Sequence, residues 1–145
     1  MTELVIDASV AIKWLVPEDL RQDALALVRM EFELIAPDIL IAEIGNIAWK
    51  KQVRGEINLQ QSQLIGNRIS AYFHEIVPSD SMVSNALDMA IALKHPIYDC
   101  FYLACAHQRK APLVTADTRL ATLAHSLTPH VTAIRLPDAV RVLGL

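Results

Sequence analysis

Cysteines, paired histidines, surplus basic charge and long apolar runs are all scarce in this chain, and each shortage removes a class of function. The two cysteines, Cys100 and Cys105, lie five apart on one expected helix and point to different sides. They are not expected to bridge, and without histidines at ligand spacing they make no zinc site. The five histidines form no HxxxH or HxH pair. A net charge of −3 provides no global field for nucleic acid, so any such contact has to come from local basic patches. The longest apolar stretches are interrupted by Asp38, Glu43 and Asp99, well short of the ~18 uninterrupted residues of a spanning helix. Met1-Thr2-Glu3-Leu4 lacks the basic region of a signal peptide, and Asp7 would fall inside any apolar one. A cytoplasmic protein without membrane attachment is expected. There is no repeat, low-complexity tract or linker, and 145 residues fit one domain, 1–145, with a core large enough to fold unaided.

What the chain has in excess is apolar character, at 53% of residues and a mean hydropathy of +0.32. For a sequence without a membrane span, that surplus suggests a hidden subunit or partner interface. Trp14 and Trp49 read as core or interface anchors.

Apolar runs bounded by turn signals alternate with helical patterns throughout. Strands are expected at Leu4 to Asp7, Leu34 to Ala36, Glu75 to Val77, Leu113 to Thr115 and Val131 to Arg135. Between them the spacing predicts helices over Ala8 to Val16, Asp19 to Glu31, and Pro37, as the first helical residue, to just before Gly55. Asn58 is expected to cap a helix to Phe73, and Ser79 or Asp80 one to Leu93. Later helices are expected from Asp99 to Arg109, Thr118 to Ser126 and Pro137 to Leu143. Short strands separated by helices imply an α/β sandwich, a central parallel sheet flanked by helices. Ligands of such sheets gather outside the carboxyl ends of the strands.

Four acids stand in apolar sequence: Asp7 after Leu4-Val5-Ile6, Glu43 within Ile39-Leu40-Ile41-Ala42-Glu43-Ile44, Asp99 before Cys100-Phe101-Tyr102-Leu103-Ala104, and Asp117 after Leu113-Val114-Thr115-Ala116. Isolated carboxylates are costly to desolvate, so buried ones are paired, protonated or bound to metal. Each also has an ordinary reading. Asp7 and Asp117 could cap the helices that follow, and Asp99 could complement a helix dipole. Glu43, mid-helix, gains nothing from capping. By contrast Asp19, Asp38, Asp80 and Asp138 lie at expected helix starts, and Asp23, Glu31, Glu33 and Glu56 look solvated. Ser9 and Thr115, two residues from Asp7 and Asp117, could orient a carboxylate or serve as ordinary turn and strand residues. Asn46 lies three residues after Glu43 on the same helical face. Lys50 and Arg54 continue nearly the same stripe, either to hold substrate phosphates or to complement the helix C-terminus.

In order and spacing, Val5-Ile6-Asp7-Ala8-Ser9-Val10, Ala42-Glu43-Ile44-Gly45-Asn46, Ile97-Tyr98-Asp99-Cys100-Phe101-Tyr102-Leu103-Ala104 and Leu113-Val114-Thr115-Ala116-Asp117 resemble the PIN-domain family, specifically the VapC-type toxins of toxin–antitoxin pairs. The resemblance spans nearly the whole chain. It implies a PIN-like three-layer sandwich, Asp7, Glu43, Asp99 and Asp117 as an acidic cluster for Mg²⁺ or Mn²⁺, ribonuclease activity on an RNA substrate, a homodimer, and inhibition by a cognate antitoxin protein. One departure matters: many relatives carry a further acid after the last motif aspartate, where this chain has Thr118, Arg119, Leu120 and Ala121. A second metal is therefore expected to bind weakly or only with substrate.

Oxygen donors without His or Cys suit a hard cation, and a metal-activated water could then hydrolyse a phosphodiester without a protein nucleophile. Two carboxylates ~4 Å apart repel by roughly 4 kcal/mol at an effective dielectric of 20, so at least one should have a raised pKa without metal. Two rivals are an inactive PIN-like binding module and an aspartyl-phosphate signalling or phosphatase domain. The second usually needs a lysine after a late strand, and none follows the Thr115 strand.

Overall fold

The computed structural model describes residues 2–127 and 130–144. Five strands form one sheet: β1 (Glu3–Ile6), β2 (Glu33–Pro37), β3 (Glu75–Val77), β4 (Leu113–Thr115) and β5 (Ala133–Arg135). They lie in the order β3-β2-β1-β4-β5, with every neighbouring pair parallel. The expected sandwich of a parallel sheet flanked by helices is the fold observed. Leu4, Val5 and Ile6 are fully buried, the continuous apolar run of a central strand covered on both faces.

The helices are α1 (Ala8–Ala11), α2 (Arg21–Arg29), α3 (Ile39–Val53), α4 (Leu59–Arg68), α5 (Val83–Leu93), α6 (Ile97–Arg109), α7 (Thr118–His125) and α8 (Ala139–Val142). Helix α6 packs on β1, β2 and β4 and is covered on another side by α5, which explains why every residue from Cys100 to Ala106 is buried. Cys100 and Cys105 are free thiols within it. Trp14 is a core anchor that donates its indole N–H to the Ala24 carbonyl at 2.9 Å and stacks on Tyr72. Trp49, by contrast, stands 60% exposed on α3.

Element edges depart from the sequence reading for local reasons. Pro37 ends β2 opposite Val77 instead of opening a helix; the next ladder bond comes from the Asp38 N–H to the Val77 carbonyl, so the missing proline donor costs nothing there. Neither Ser79 nor Asp80 caps α5: they form a short 3-10 turn, and the Ser79 N–H donates instead to Asp38 Oδ2 at 3.1 Å. Asp99 lies in the first turn of α6, which opens earlier, at Ile97 after Pro96. Helix α1 tightens into a 3-10 turn over Ile12–Trp14 before Pro17, and α2 begins only after Leu20, whose φ is 65°. Asn58 caps α4 with a reciprocal capping box through Gln61, as its side-chain chemistry suggests.

Among the described residues no helix is long and apolar enough to cross a membrane. Much of the apolar surplus enters the core, but Val83, Leu87 and Ile91 form an exposed stripe on α5, and Tyr98 in the first turn of α6 is exposed as well.

Candidate active site

The strand order changes direction between β1 and β4: the chain builds outward from β1 through β2 to β3, then returns to its other side with β4 and β5. In open parallel sheets, a crevice forms outside the carboxyl ends at such a point. Asp7 follows β1 and Asp117 lies just beyond β4, so both carboxylates stand there.

Asp7 is almost fully buried and held by donors from three directions. Its Oδ1 accepts from the Ser9 hydroxyl at 2.6 Å and the Val10 N–H at 3.3 Å, while Oδ2 accepts from the Thr115 hydroxyl at 2.6 Å. Each hydroxyl is itself oriented by a backbone donor: the Ala116 N–H reaches Ser9 Oγ at 3.0 Å, and the Asp117 N–H reaches Thr115 Oγ1 at 2.9 Å. Asp7 therefore does cap α1, and the same carboxylate ties β1 to β4. Asp117 caps α7, accepting from the N–H groups of Arg119 and Leu120.

Glu43 projects from α3 and accepts the Tyr102 hydroxyl at 2.7 Å. On α6, Asp99 Oδ2 lies 2.8 Å from His95 Nε2 and accepts from Arg119 Nη2 at 3.4 Å. The same guanidinium is 3.9 Å from Asp117 Oδ2. Tyr102, His95 and Arg119 thus complete the acidic surroundings, although the sequence reading did not single them out. Their spacing offers a signal: His95 and Tyr102 lie four before and three after Asp99, and Arg119 lies two after Asp117.

Burial raises the Asp7 carboxyl from an ordinary 3.8 to about 6, against the opposing hydrogen bonds from Ser9, Thr115 and Val10, and the Glu43 charge adds to the rise. Burial also raises Glu43, opposed by the Tyr102 hydrogen bond and assisted by the Asp99 charge. The expected elevation is present, but desolvation outweighs like-charge repulsion as its cause. Tyr102 is pushed well above its ordinary range by burial and by the charges of Glu43 and Asp7. Asp7, Glu43 and Asp99 therefore form an electrostatically connected series, and Arg119 links Asp99 to Asp117.

As they stand, no three His, Cys, Asp or Glu side chains among the described residues are arranged to hold a metal ion. The donor chemistry nevertheless fits a hard divalent cation. The four acids supply oxygen ligands only, and two of them are raised in a way that nearby positive charge would reverse. Arg119 already places a cation between Asp99 and Asp117.

Ser9 and Ala116 also line a groove of about 430 Å³ bounded by Lys50 and Arg54. The basic stripe on α3 thus reaches a recess beside the Asp7 network, although both residues also lie near the helix C-terminus. Asn46 is exposed on α3 and does not line this groove.

The sequence matches the profile of the PIN domain across residues 4–126. The chain belongs to the PIN-domain family. This PIN domain is 29% identical over 121 residues to ribonuclease VapC3 of Pyrobaculum aerophilum, covering 82% of the chain and 92% of that relative. Its fold is similar to the crystal structure of PAE2754 from Pyrobaculum aerophilum, with a TM-score of 0.73, 20% identity, and coverage of 99% and 98% of the two chains. VapBC2 of Rickettsia felis, in a structure bound to a promoter DNA fragment, gives a TM-score of 0.68 at 14% identity, covering 92% of this chain and 98% of that one.

Proposed function

We propose that this PIN domain is a Mg²⁺- or Mn²⁺-dependent endoribonuclease, the cytoplasmic toxin of a type II toxin–antitoxin pair. The observation that carries the reading is the coupled acidic series at the sheet's switch point, beside a groove bearing Lys50 and Arg54. Membership of the PIN family and likeness to a VapC ribonuclease support it.

Asp7 and Asp99 would hold the principal cation, with Glu43 and Asp117 completing the cluster directly or through water. Such a cation supplies Lewis-acid stabilisation of the phosphodiester and makes a water easier to deprotonate. Ser9 and Thr115 keep both Asp7 oxygens in place, while Tyr102 fixes one oxygen of Glu43. Lys50 and Arg54 offset the charge of substrate phosphates; Asn46 supplies an amide farther along the α3 face. The exposed apolar stripe on α5 supports association with a second copy, and the likeness in fold to VapBC2 of Rickettsia felis supports an antitoxin partner.

An inactive PIN-like binding module is the competing reading favoured by a specific observation: Asp99 is already engaged by His95 and Arg119. The test is cleavage of total cellular RNA by the folded, antitoxin-free protein in Mg²⁺ or Mn²⁺ against EDTA, with Asp99→Asn alongside. A discrete product requiring both metal and Asp99 is expected. Intact RNA under every metal condition selects the binding module.

A further inference from the structure

The groove beside the acids has an unusual occupant. Glu18 points its carboxylate between two lysines, with Lys13 Nζ 2.8 Å from Oε1 and Lys51 Nζ 3.0 Å from Oε2. All three residues line the recess that also carries Ser9, Lys50 and Arg54. Lys13 is only 8% exposed, so its charge requires a resident anion. Glu18 provides that anion, and the two ammonium groups hold its carboxyl below the usual range against the opposing effect of burial.

Four cations therefore face one carboxylate in a chain whose overall charge is −3. A single Glu leaves the recess strongly positive, while its two oxygens span the lysines as two oxygens of a phosphate would. Glu18 belongs to the short segment between the Ile12–Trp14 turn and α2, outside any helix or strand. Moving its carboxylate requires no regular element to unfold.

We propose that Lys13 and Lys51 form a subsite for an RNA backbone phosphate flanking the scissile one, and that Glu18 fills this subsite in the free protein. The assignment of RNA as ligand rests on the ribonuclease reading. Ser9 joins the two sites physically, because it lines the groove and donates to Asp7. A strand whose reacting phosphate reaches the acids would thus place a neighbouring phosphate on the lysines, displacing Glu18. Lys50 and Arg54 then continue the path along α3.

The test measures binding of a short single-stranded RNA to the full chain in EDTA by fluorescence anisotropy across a salt series. Glu18→Gln should tighten binding about fivefold by removing the internal competitor at a partly exposed ion pair. Lys51→Gln should weaken binding by a similar factor and lower the salt slope by about 0.7, the value for one single-strand phosphate contact. Lys51 is the second variant because replacing buried Lys13 risks the fold. Unchanged or weaker RNA binding by folded Glu18→Gln would overturn the proposal. So would stabilisation of that variant by inorganic phosphate without tighter RNA binding. RNA cleavage is scored separately: cleavage with no Glu18 effect on binding removes the subsite alone, whereas tighter binding without cleavage removes the nuclease reading and leaves the subsite.

Discussion

Replacing Asp7 by Asn should make the metal-free protein more stable at neutral pH. Ionised Asp7 is buried, and its carboxyl lies at about 6 against an ordinary 3.8. At about 1.4 kcal/mol per pH unit, ionising it within the fold costs on the order of 3 kcal/mol above pH 6. The fold binds the extra proton between those two values, so this penalty disappears as pH falls through them and returns as pH rises. Asn retains an Oδ1 that can accept from Ser9 and Val10, but it presents an amide donor toward Thr115 in place of an acceptor. Reorganising that hydrogen bond costs about 1 kcal/mol. The net gain is about 2 kcal/mol near pH 7.5 and close to zero near pH 4.5, or a melting shift of about 5 °C at the higher pH for a chain of this size. Urea unfolding of both proteins in EDTA at the two pH values measures it. A variant less stable at both pH values, or an advantage independent of pH, would refute the electrostatic account and leave Asp7 as a structural cap.

Tyr102→Phe removes the donor to Glu43 at a buried position and should lower stability by about 1–2 kcal/mol in urea unfolding, because a half-buried carboxylate loses its hydroxyl partner. Arg119→Ala frees Asp99 and Asp117 from an exposed cation; calorimetric titration should show Mn²⁺ binding up to about fivefold tighter, the scale of an exposed ion pair. Weaker Mn²⁺ binding would mean that Arg119 organises the acids and does not compete at them. Asn58→Ala should cost about 1 kcal/mol through loss of the α4 cap, with no change in Mn²⁺ affinity.

The strands were legible because a sheet covered on both faces requires continuous apolar runs, and Leu4 to Ile6 and the pair Leu113 and Val114 meet that requirement. Their order was not, since neither run encodes its neighbour across the sheet. Pro37 was misplaced because proline suits a helix start and a strand end alike, and only the bond from Asp38 to Val77 decides between them. The short spacing of Ser9 and Thr115 from aspartates made them candidates, but sequence could not show that both hydroxyls meet on Asp7. Thr115 reaches it from 108 positions away. The pairing of Glu43 with Tyr102 and the joining of Lys13 and Lys51 by Glu18 likewise depend on tertiary packing.

The two backbone-to-hydroxyl-to-carboxylate relays have a consequence for how the site accepts a ligand. Around Asp7 the donors are drawn from α1 and the β4 end, so this half is preformed and little ordering entropy remains to be lost on binding. Around Asp99, Arg119 is 69% exposed at its side chain and must give way, so that half is adaptable. Association should therefore begin at a rigid anchor and finish at a yielding arm. Its speed would be governed by the arm, while its dependence on sheet integrity would be set by the anchor.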